Sequence, residues 1–290
     1  MADRAAHGSG GNKTVDQYSY MGFTFDVVDA GTAKNGTIIL LHGFPQTSHC
    51  WRKVTPILNA AGYRTVAPDQ RGYSPGARPL ARTVYRSSEL IDDVVGLISR
   101  LDAAPVHVVG HDWGAAVAWG LAASRPDLVR TLTSVSVPHP GAFIKSFFSS
   151  DQLLRSWYMA AFQPPLLPDL LMSKVPFVVD QVLRRTGMDD EQIADVHRLV
   201  IDTGALPGAL NWYRAMGLSS PPSLARRVAV PTTHVWGAHD PALSRRGAEL
   251  AADFAVADFQ LEILEDAGHW IPEHNAEKLA EIILARVAHH

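Results

Sequence analysis

An aspartate occupies the tip of a predicted strand-to-helix turn, where a nucleophilic serine is often found. An apolar run leads into Gly110-His111-Asp112-Trp113-Gly114, and a helical pattern follows. Small residues beside a nucleophile permit the sharp turn that presents its side chain. A carboxylate attacking an acyl carbon would form a labile anhydride, whereas attack on a saturated carbon gives an alkyl ester that water can cleave later. Asp112 as nucleophile therefore predicts opening of epoxides or displacement of halides.

Two further side chains with catalytic chemistry follow apolar strands. Asp240 comes after a predicted strand at Thr232–Trp236, and His269 comes after a predicted strand at Phe259–Leu264. Nucleophile, acid and histidine in this chain order are typical of catalytic triads on sheets built from alternating strands and helices. Asp240 would orient the His269 imidazole, and His269 would act as the general base. Alone, each is weak evidence, since a histidine or an Asp-Pro turn after a strand usually has a structural role.

The loop His42-Gly43-Phe44-Pro45 follows another apolar strand, Thr37–Leu41. Such a loop can aim a backbone N–H at the same point as the N–H of the residue after the nucleophile. We therefore predict an oxyanion hole formed by the N–H groups of Phe44 and Trp113. His42 is expected to satisfy backbone groups of the loop.

Composition excludes several classes of protein. The 290 residues are 47% hydrophobic with a net charge of −3, and Lys and Arg are scattered, so a nucleic-acid partner is not expected. The single cysteine, Cys50, precludes an internal disulfide and favours the cytoplasm. An apolar run of about 18 residues is missing, so no membrane span is expected. The dispersed histidines predict neither a metal site nor a cofactor, and a monomer or a homodimer is equally compatible with the sequence.

Strands alternating with helices predict an α/β fold with a mostly parallel sheet covered by helices on both faces. Further strands are predicted at residues 18–30 (a hairpin), 63–68, 106–109 and 132–137, and Ser87 or Ser88 is a predicted N-cap of a helix ending at Leu101. Residues 141–222 interrupt the alternation with a helical, aromatic-rich and Pro-rich block, which predicts an α-helical cap inserted after strand 6. The core domain is then residues 16–140 and 223–290, and residues 1–15 form a disordered leader. The final two histidines are natural or the remnant of a tag.

Together, His42-Gly43-Phe44-Pro45, the Asp112 motif, Gly237-Ala238-His239-Asp240 and Gly268-His269-Trp270 resemble the epoxide hydrolases of the α/β-hydrolase superfamily. The resemblance covers nearly everything from Tyr18 to Arg286. It implies a hydrolase that acts on ether bonds, converting a small apolar epoxide to a vicinal diol through a covalent alkyl-enzyme ester.

The resemblance also implies two cap tyrosines that donate a proton to the epoxide oxygen. Asn211-Trp212-Tyr213-Arg214 is similar to one family motif, and the Tyr-x-x-x-Phe-Gln pattern beginning at Tyr158 is similar to the other. A phenol is neutral near pH 7 and suits this role. The alternative is that both rings only pack the cap onto the core.

Five aromatic side chains are predicted to line the substrate pocket, although core packing explains them equally well. These are Trp113, Trp157, Phe162, Trp212 and Trp270. An aromatic lining would favour an apolar, aromatic or bulky substrate.

Two other functions remain open from the sequence. A haloalkane or haloacid dehalogenase would use the same Asp-His-Asp chemistry, but the residues typical of its two branches are replaced here by Phe44 and Trp113. A non-catalytic ligand-binding protein of the same fold is the third hypothesis, because fold alone does not guarantee activity. The complete triad disfavours it.

Overall fold

The computed structural model describes residues 14–218 and 225–288. Most of the predicted leader, the last residues of the predicted cap and the two C-terminal histidines lie outside these ranges. Within them, no helix is both long and apolar enough to cross a bilayer.

One eight-stranded sheet organises the chain, in the order β1-β2-β4-β3-β5-β6-β7-β8. The strands are β1 (Gln17–Tyr20), β2 (Phe23–Ala30), β3 (Thr37–Leu41), β4 (Arg64–Pro68), β5 (Val106–His111), β6 (Val129–Val135), β7 (Thr232–Gly237) and β8 (Phe259–Leu264). The hairpin β1–β2 and the pair β2–β4 are antiparallel, and every later pair is parallel. The predicted mostly parallel sheet is confirmed.

Helices cover the sheet on both faces. They are α1 (Thr55–Ala60), α2 (Ser87–Leu101), α3 (Trp113–Ser124), α4 (Pro140–Ser146), α5 (Gln152–Arg155), α6 (Trp157–Ala161), α7 (Leu167–Lys174), α8 (Pro176–Arg185), α9 (Asp190–Val196), α10 (Leu206–Ala215), α11 (Arg245–Leu250), α12 (Ile271–His274) and α13 (Ala276–Ala288). Short 3₁₀ turns lie at Ser48–Trp51, Pro75–Ala77, Arg82–Tyr85, Met216–Leu218 and Ala251–Phe254, and a π turn lies at His197–Ile201. Strands β3, β4 and β5 are buried at every position, as expected of strands with helices on both sides.

Helices α4 to α10 follow β6 and precede β7, and no strand occurs among the described residues between them. We call residues 140–218 the helical insert. At its entrance the side chain of His139 accepts a hydrogen bond from the backbone N–H of Gly141 at 3.0 Å, which caps α4. His139 also stacks on Phe254, with ring centroids 4.3 Å apart. It therefore packs the start of the insert against the core.

Some local predictions were wrong in detail. Neither Ser87 nor Ser88 caps α2, because the N-cap is Arg86, which makes no side-chain capping bond, and Ser87 is already helical. The segment after β3 forms a 3₁₀ turn at Ser48–Trp51 and becomes α-helical only at Thr55. Pro56 favours the first turn of the α-helix, where its missing N–H costs nothing.

Candidate active site

Asp112 lies at the turn between β5 and α3 in a backbone conformation rarely adopted by residues with side chains, with φ 52° and ψ −121°. The neighbouring glycines allow this turn. A Cβ on Gly110 would lie 2.2 Å from the carbonyl oxygen of Gly114, and a Cβ on Gly114 would lie 2.2 Å from the carbonyl oxygen of Leu41. The Gly-x-Asp-x-Gly spacing is therefore a steric requirement for the close approach of α3, β5 and β3.

The Asp112 carboxylate is held by contacts with the backbone of the two neighbouring loops. The N–H of Phe44 donates to Oδ1 at 2.8 Å, and the N–H of Trp113 also donates to the carboxylate. Gly43 leaves room for this contact, because a Cβ there would lie 2.3 Å from Oδ1. The two donors predicted to form an oxyanion hole thus converge on the side chain of Asp112.

His269 lies between Asp112 and Asp240. Its Nδ1 is 2.8 Å from Asp240 Oδ2, and its Nε2 is 3.6 Å from Asp112 Oδ2. The other oxygen of Asp240 accepts from the N–H groups of Ala242 and Leu243 at 2.8 and 3.0 Å. Asp240 is thereby fixed with its remaining oxygen on the imidazole, as the sequence order predicted.

The main chain of His269 is anchored as well as its ring. The hydroxyl of Ser136 and the Nε2 of His111 both lie 2.9 Å from the carbonyl oxygen of His269. Trp270 packs edge-on against the imidazole, with centroids 4.7 Å apart. The main chain at His269 is consequently anchored by contacts from two other segments of the chain.

The two carboxylates determine the charge state of the imidazole. Burial by itself lowers the pKa of His269, but Asp240 and Asp112 outweigh burial and raise that pKa to about 10. Burial likewise works against ionisation of Asp112, and the His269 imidazolium overcomes it, so the pKa of Asp112 is lowered. At neutral pH the resting site therefore holds an ionised Asp112 beside a charged His269.

Tyr158 on α6 and Tyr213 on α10 lie across the site from Asp112. Their ring centroids are 6.0 Å apart. Burial, with the Asp112 carboxylate as the second cause, raises the pKa of both phenols well above the usual value. Both hydroxyls thus keep their protons, and both tyrosines line the same cavity as Asp112.

The loop after β4 supports the Phe44 segment and α10 together. The backbone N–H of Gln70 donates to His42 Nε2 at 3.0 Å, and the amide of Gln70 donates to the His42 carbonyl oxygen. The indole N–H of Trp212 donates to the carbonyl oxygen of Arg71 at 2.8 Å. His42 has the structural role expected of it, and Trp212 ties the helix that carries Tyr213 to the core.

A cavity of about 380 Å³ opens from this site. Of the predicted pocket aromatics, Trp113 lines it, together with Asp112, Tyr158, Tyr213 and His269.

Among the described residues that line the cavity, Trp157, Phe162, Trp212 and Trp270 do not occur. Trp157 is 65% exposed on the outside of α6, and Phe162 packs behind Tyr213 and Phe44. Trp212 is buried beneath α10, and Trp270 turns its indole N–H to Thr186 at 3.0 Å. Sequence could not give the directions of these rings, because partners from distant segments, such as Arg71 for Trp212 and Thr186 for Trp270, decide them.

Two functional contacts were missed from the sequence. Arg155 Nη1 donates to the carbonyl oxygen of Asp240 at 2.8 Å, and Gln152 Nε2 donates to the carbonyl oxygen of Ala242 at 2.7 Å. Both tie helix α5 of the insert to the loop that orients His269. No sequence signal marks them, because the partners are backbone atoms far along the chain. Within residues 14–218 and 225–288, no group of three or more His, Cys, Asp or Glu side chains is arranged to hold a metal ion.

Comparison with known proteins gives a consistent result. The alpha/beta hydrolase fold family matches residues 36–276. The AB hydrolase superfamily protein YfhM of Bacillus subtilis (strain 168) is 34% identical over 271 residues, covering 91% of this chain and 94% of that protein. Epoxide hydrolase 3 of Xenopus tropicalis is 32% identical over 274 residues, covering 90% of this chain and 74% of that protein.

Solved structures show the same similarity. The crystal structure of epoxide hydrolase A from Mycobacterium thermoresistibile matches with a TM-score of 0.78 at 27% identity. The match covers 92% of this chain and 96% of the other.

Proposed function

This chain belongs to the alpha/beta hydrolase family and resembles its epoxide hydrolases, and from that premise we propose that it adds water to an apolar epoxide to give a vicinal diol. The observation that best supports the proposal is the division of labour within one carboxylate. Oδ1 of Asp112 accepts a hydrogen bond from the backbone N–H of Phe44, while Oδ2 lies near His269 in the cavity. A single oxygen is therefore available for attack on carbon.

In the first step Oδ2 of Asp112 displaces a C–O bond of the epoxide and forms an alkyl ester. Negative charge develops on the departing oxygen, which takes a proton from Tyr158 or Tyr213. Both phenols are protonated and border the cavity with Asp112. Asp112 needs no base for this step, because His269 keeps it ionised.

In the second step water attacks the carbonyl carbon of the ester. His269 takes the proton of that water, and the N–H groups of Phe44 and Trp113 stabilise the oxyanion that forms on Oδ1. Asp240 stabilises the resulting imidazolium through its contact with Nδ1 at 2.8 Å. The ester C–O bond at Asp112 then breaks, and the diol leaves with the oxygen that had been Oδ2.

Alkylation itself prepares His269 for its role as a base. In the resting site two carboxylates raise the pKa of His269 to about 10 against the effect of burial. Esterification removes the charge of Asp112, so the pKa of His269 falls, and the imidazolium proton passes through solvent to the tyrosinate that the first step leaves. The base therefore becomes available when the ester is there to be cleaved.

One turnover in water enriched in heavy oxygen tests the scheme. Attack by Asp112 followed by ester cleavage puts one heavy oxygen into residue 112 and leaves the first diol unlabelled. Mass spectrometry of the peptide that contains residue 112 measures this. Heavy oxygen in the first diol with none in Asp112 would mean that water attacks the epoxide directly, and the proposal would be wrong.

Halide displacement is not favoured by the geometry. The Trp113 ring packs edge-on against Trp212 and Tyr213, with centroids 5.6 and 5.2 Å apart, so its place is in an aromatic wall. A halide-release assay on haloalkanes beside a diol assay on epoxides separates the two reactions.

We further propose that residues 141–222 act as a cap domain over a core of residues 16–140 and 223–290. The run of helices between β6 and β7 supports this division. The buried free thiol of Cys50 fits a cytoplasmic enzyme. A monomer or a homodimer is expected, and light scattering distinguishes them.

A further inference from the structure

One buried carboxylate close to His269 in the chain takes no part in the scheme above. Glu273 lies on α12, four residues after His269, and only 5% of it is exposed. A carboxylate removed from water loses hydration that only charged or hydrogen-bonding partners can replace. The partners of Glu273 therefore indicate why it is there.

These partners come from a single stretch of chain that follows β3. The amide Nε2 of Gln46 donates to Oε1 of Glu273 at 2.6 Å, and Nη1 of Arg52 donates to Oε2 at 2.7 Å. Each carboxylate oxygen thus has a donor, and the guanidinium offsets the buried charge. Nζ of Lys53 donates to the carbonyl oxygen of Glu273 at 3.1 Å. Three donors between positions 46 and 53 therefore meet on one residue near the end of the chain.

Gln46 belongs to the same tight turn as the Phe44 N–H. The backbone N–H of Gln46 donates to the carbonyl oxygen of Gly43 at 2.9 Å, which closes a turn around Phe44. From within that turn the N–H of Phe44 donates to Oδ1 of Asp112 at 2.8 Å. A shift of Gln46 therefore moves the oxyanion donor as well.

Glu273 is joined as closely to His269. The N–H of Ile271 donates to the carbonyl oxygen of His269 at 3.0 Å. The N–H of Glu273 donates to the carbonyl oxygen of Trp270 at 3.2 Å. The Gln46–Glu273 hydrogen bond thus connects the loop that carries the oxyanion donor to the segment that carries the base, although the two residues lie 227 positions apart.

We propose that Glu273 is a positioning residue for cleavage of the alkyl ester. Through Gln46 it fixes the oxyanion donor of Phe44 relative to the base His269. The proposal rests on the function proposed above, in which both groups act on the ester. The donor must lie where negative charge develops, and the base must reach a water beside the same carbonyl carbon. Formation of the ester needs neither group in that role, since the Asp112 carboxylate attacks without a base.

Gln46→Met tests this role, because it removes the hydrogen bond to Glu273 and keeps the length of the side chain. With styrene oxide as the probe, rapid-quench intact-protein mass spectrometry gives the rates of ester formation and ester decay separately. We expect ester decay to slow about tenfold, less than outright loss of an oxyanion donor would cause. Ester formation should stay within about twofold of the wild type, so the esterified fraction should rise during turnover.

Gln260→Met is the matched control. Oε1 of Gln260 also accepts from a charged side chain, Nη2 of Arg286 at 3.0 Å. It lies near the start of β8, at the opposite end of that strand from the segment that carries His269. The control should leave both rates unchanged. If Gln46 and Glu273 served only to stabilise the fold, Gln46→Met would slow both steps together or neither, and either result would overturn the proposal.

An exchange of the two side chains provides a rescue. Gln46→Glu alone places two carboxylates where 2.6 Å separates the present pair, so ester decay should slow at least as much as in Gln46→Met. Adding Glu273→Gln restores one donor and one acceptor in reversed order, and ester decay should recover to within about threefold of the wild type. Slow decay that persists in the double variant would overturn the proposal.

Hydrogen exchange tests the positioning without any reaction. The backbone N–H groups of Gly43, Phe44 and Gln46 should exchange at least about fivefold faster in Gln46→Met, and slowly again in the double variant. That pattern in a protein that forms no ester with any epoxide would support the positioning and overturn the proposed function. An ester that forms and decays at wild-type rates in every variant would overturn the positioning role and leave the function standing.

Discussion

The two sides of the active site are held in place by different kinds of contact. On the core side, Asp112 and Asp240 are bound by backbone N–H groups of neighbouring loops, and His269 is held by both carboxylates. On the insert side, Tyr158 lies on the five-residue helix α6, and Tyr213 lies on α10, which Trp212 ties to the core. Backbone N–H groups thus position the two carboxylates, Asp112 and Asp240. Side-chain packing and the Trp212 indole position the helices that carry Tyr158 and Tyr213.

Exposure of apolar side chains follows the same division. Among the described residues, most large hydrophobic side chains that are exposed lie between residues 148 and 182, in the insert. The core buries its apolar residues on both faces of the sheet. We conclude that the core fixes the chemistry and that the insert is the more adaptable part, so substitutions in the core should have the larger effects.

Loss of the nucleophile should have the largest effect. Asp112→Asn keeps the shape of the side chain but removes the charge that attacks carbon, so kcat/KM for any epoxide should fall by at least about 10⁴-fold. Steady-state diol formation measures it. Substantial residual turnover by a freshly purified variant would mean that the core does not supply the nucleophile.

Loss of the base should stop the reaction halfway. His269→Gln lets Asp112 form the ester but leaves no group to activate water, so kcat should fall by about 10³-fold or more. Intact-protein mass spectrometry should show an adduct with the mass of the substrate. If the variant is inactive and unmodified under conditions in which the wild type turns over, His269 acts before the ester forms.

Replacing either cap tyrosine alone should lower kcat/KM less than loss of Asp112 or His269. Tyr158→Phe and Tyr213→Phe each remove one proton donor and leave the other, so each should lower kcat/KM by about 10- to 100-fold, and the double variant by more than either. Tyr63→Phe, remote from the cavity, is the control. If the double variant retains wild-type activity, both rings have only a packing role.

Acid should destabilise the core through its buried histidines. Burial lowers the pKa of His111, His139 and His234 from 6.5 to about 4. Because the folded-state pKa is depressed, the stabilisation is complete above pH 6.5 and is lost as the pH falls through about 4, where the unfolded chain binds more protons. Each group contributes at most about 3 kcal/mol. Urea unfolding at several pH values measures the slope.

His234→Met, which removes one buried titrating group, should make this pH dependence shallower whatever its effect at neutral pH. An unchanged slope would mean that the acid sensitivity arises elsewhere, the insert included.

Removal of one hydrogen bond between the insert and the core should have the smallest effect on catalysis. Arg155→Met removes the hydrogen bond to the Asp240 carbonyl oxygen at 2.8 Å while keeping the length of the side chain. We expect KM to rise a few-fold with kcat nearly unchanged, because the Asp240 carboxylate keeps its own backbone donors. A large fall in kcat would show that the insert positions the triad directly, and the contrast between the two sides would fail.

The sequence alone predicted the alternating fold and the order in which Asp112, Asp240 and His269 follow their strands. These follow from local patterns, because an apolar run followed by a turn places Asp112, Asp240 and His269 at the same edge of a parallel sheet. The approach of the Phe44 N–H to Asp112 could be predicted for the same reason, since the loop that contains it fixes its position.

Only the tertiary structure decided which aromatic rings face the substrate and where the cavity leads. Trp212 and Trp270 have side chains suited to a pocket, but their indole N–H groups find backbone partners in other segments. The cavity is lined jointly by α2, α3 and α4, through residues such as Ile91, Ala116 and Phe143, which are far apart in the chain. Contacts between segments distant in the chain decide side-chain direction, and no local pattern encodes them.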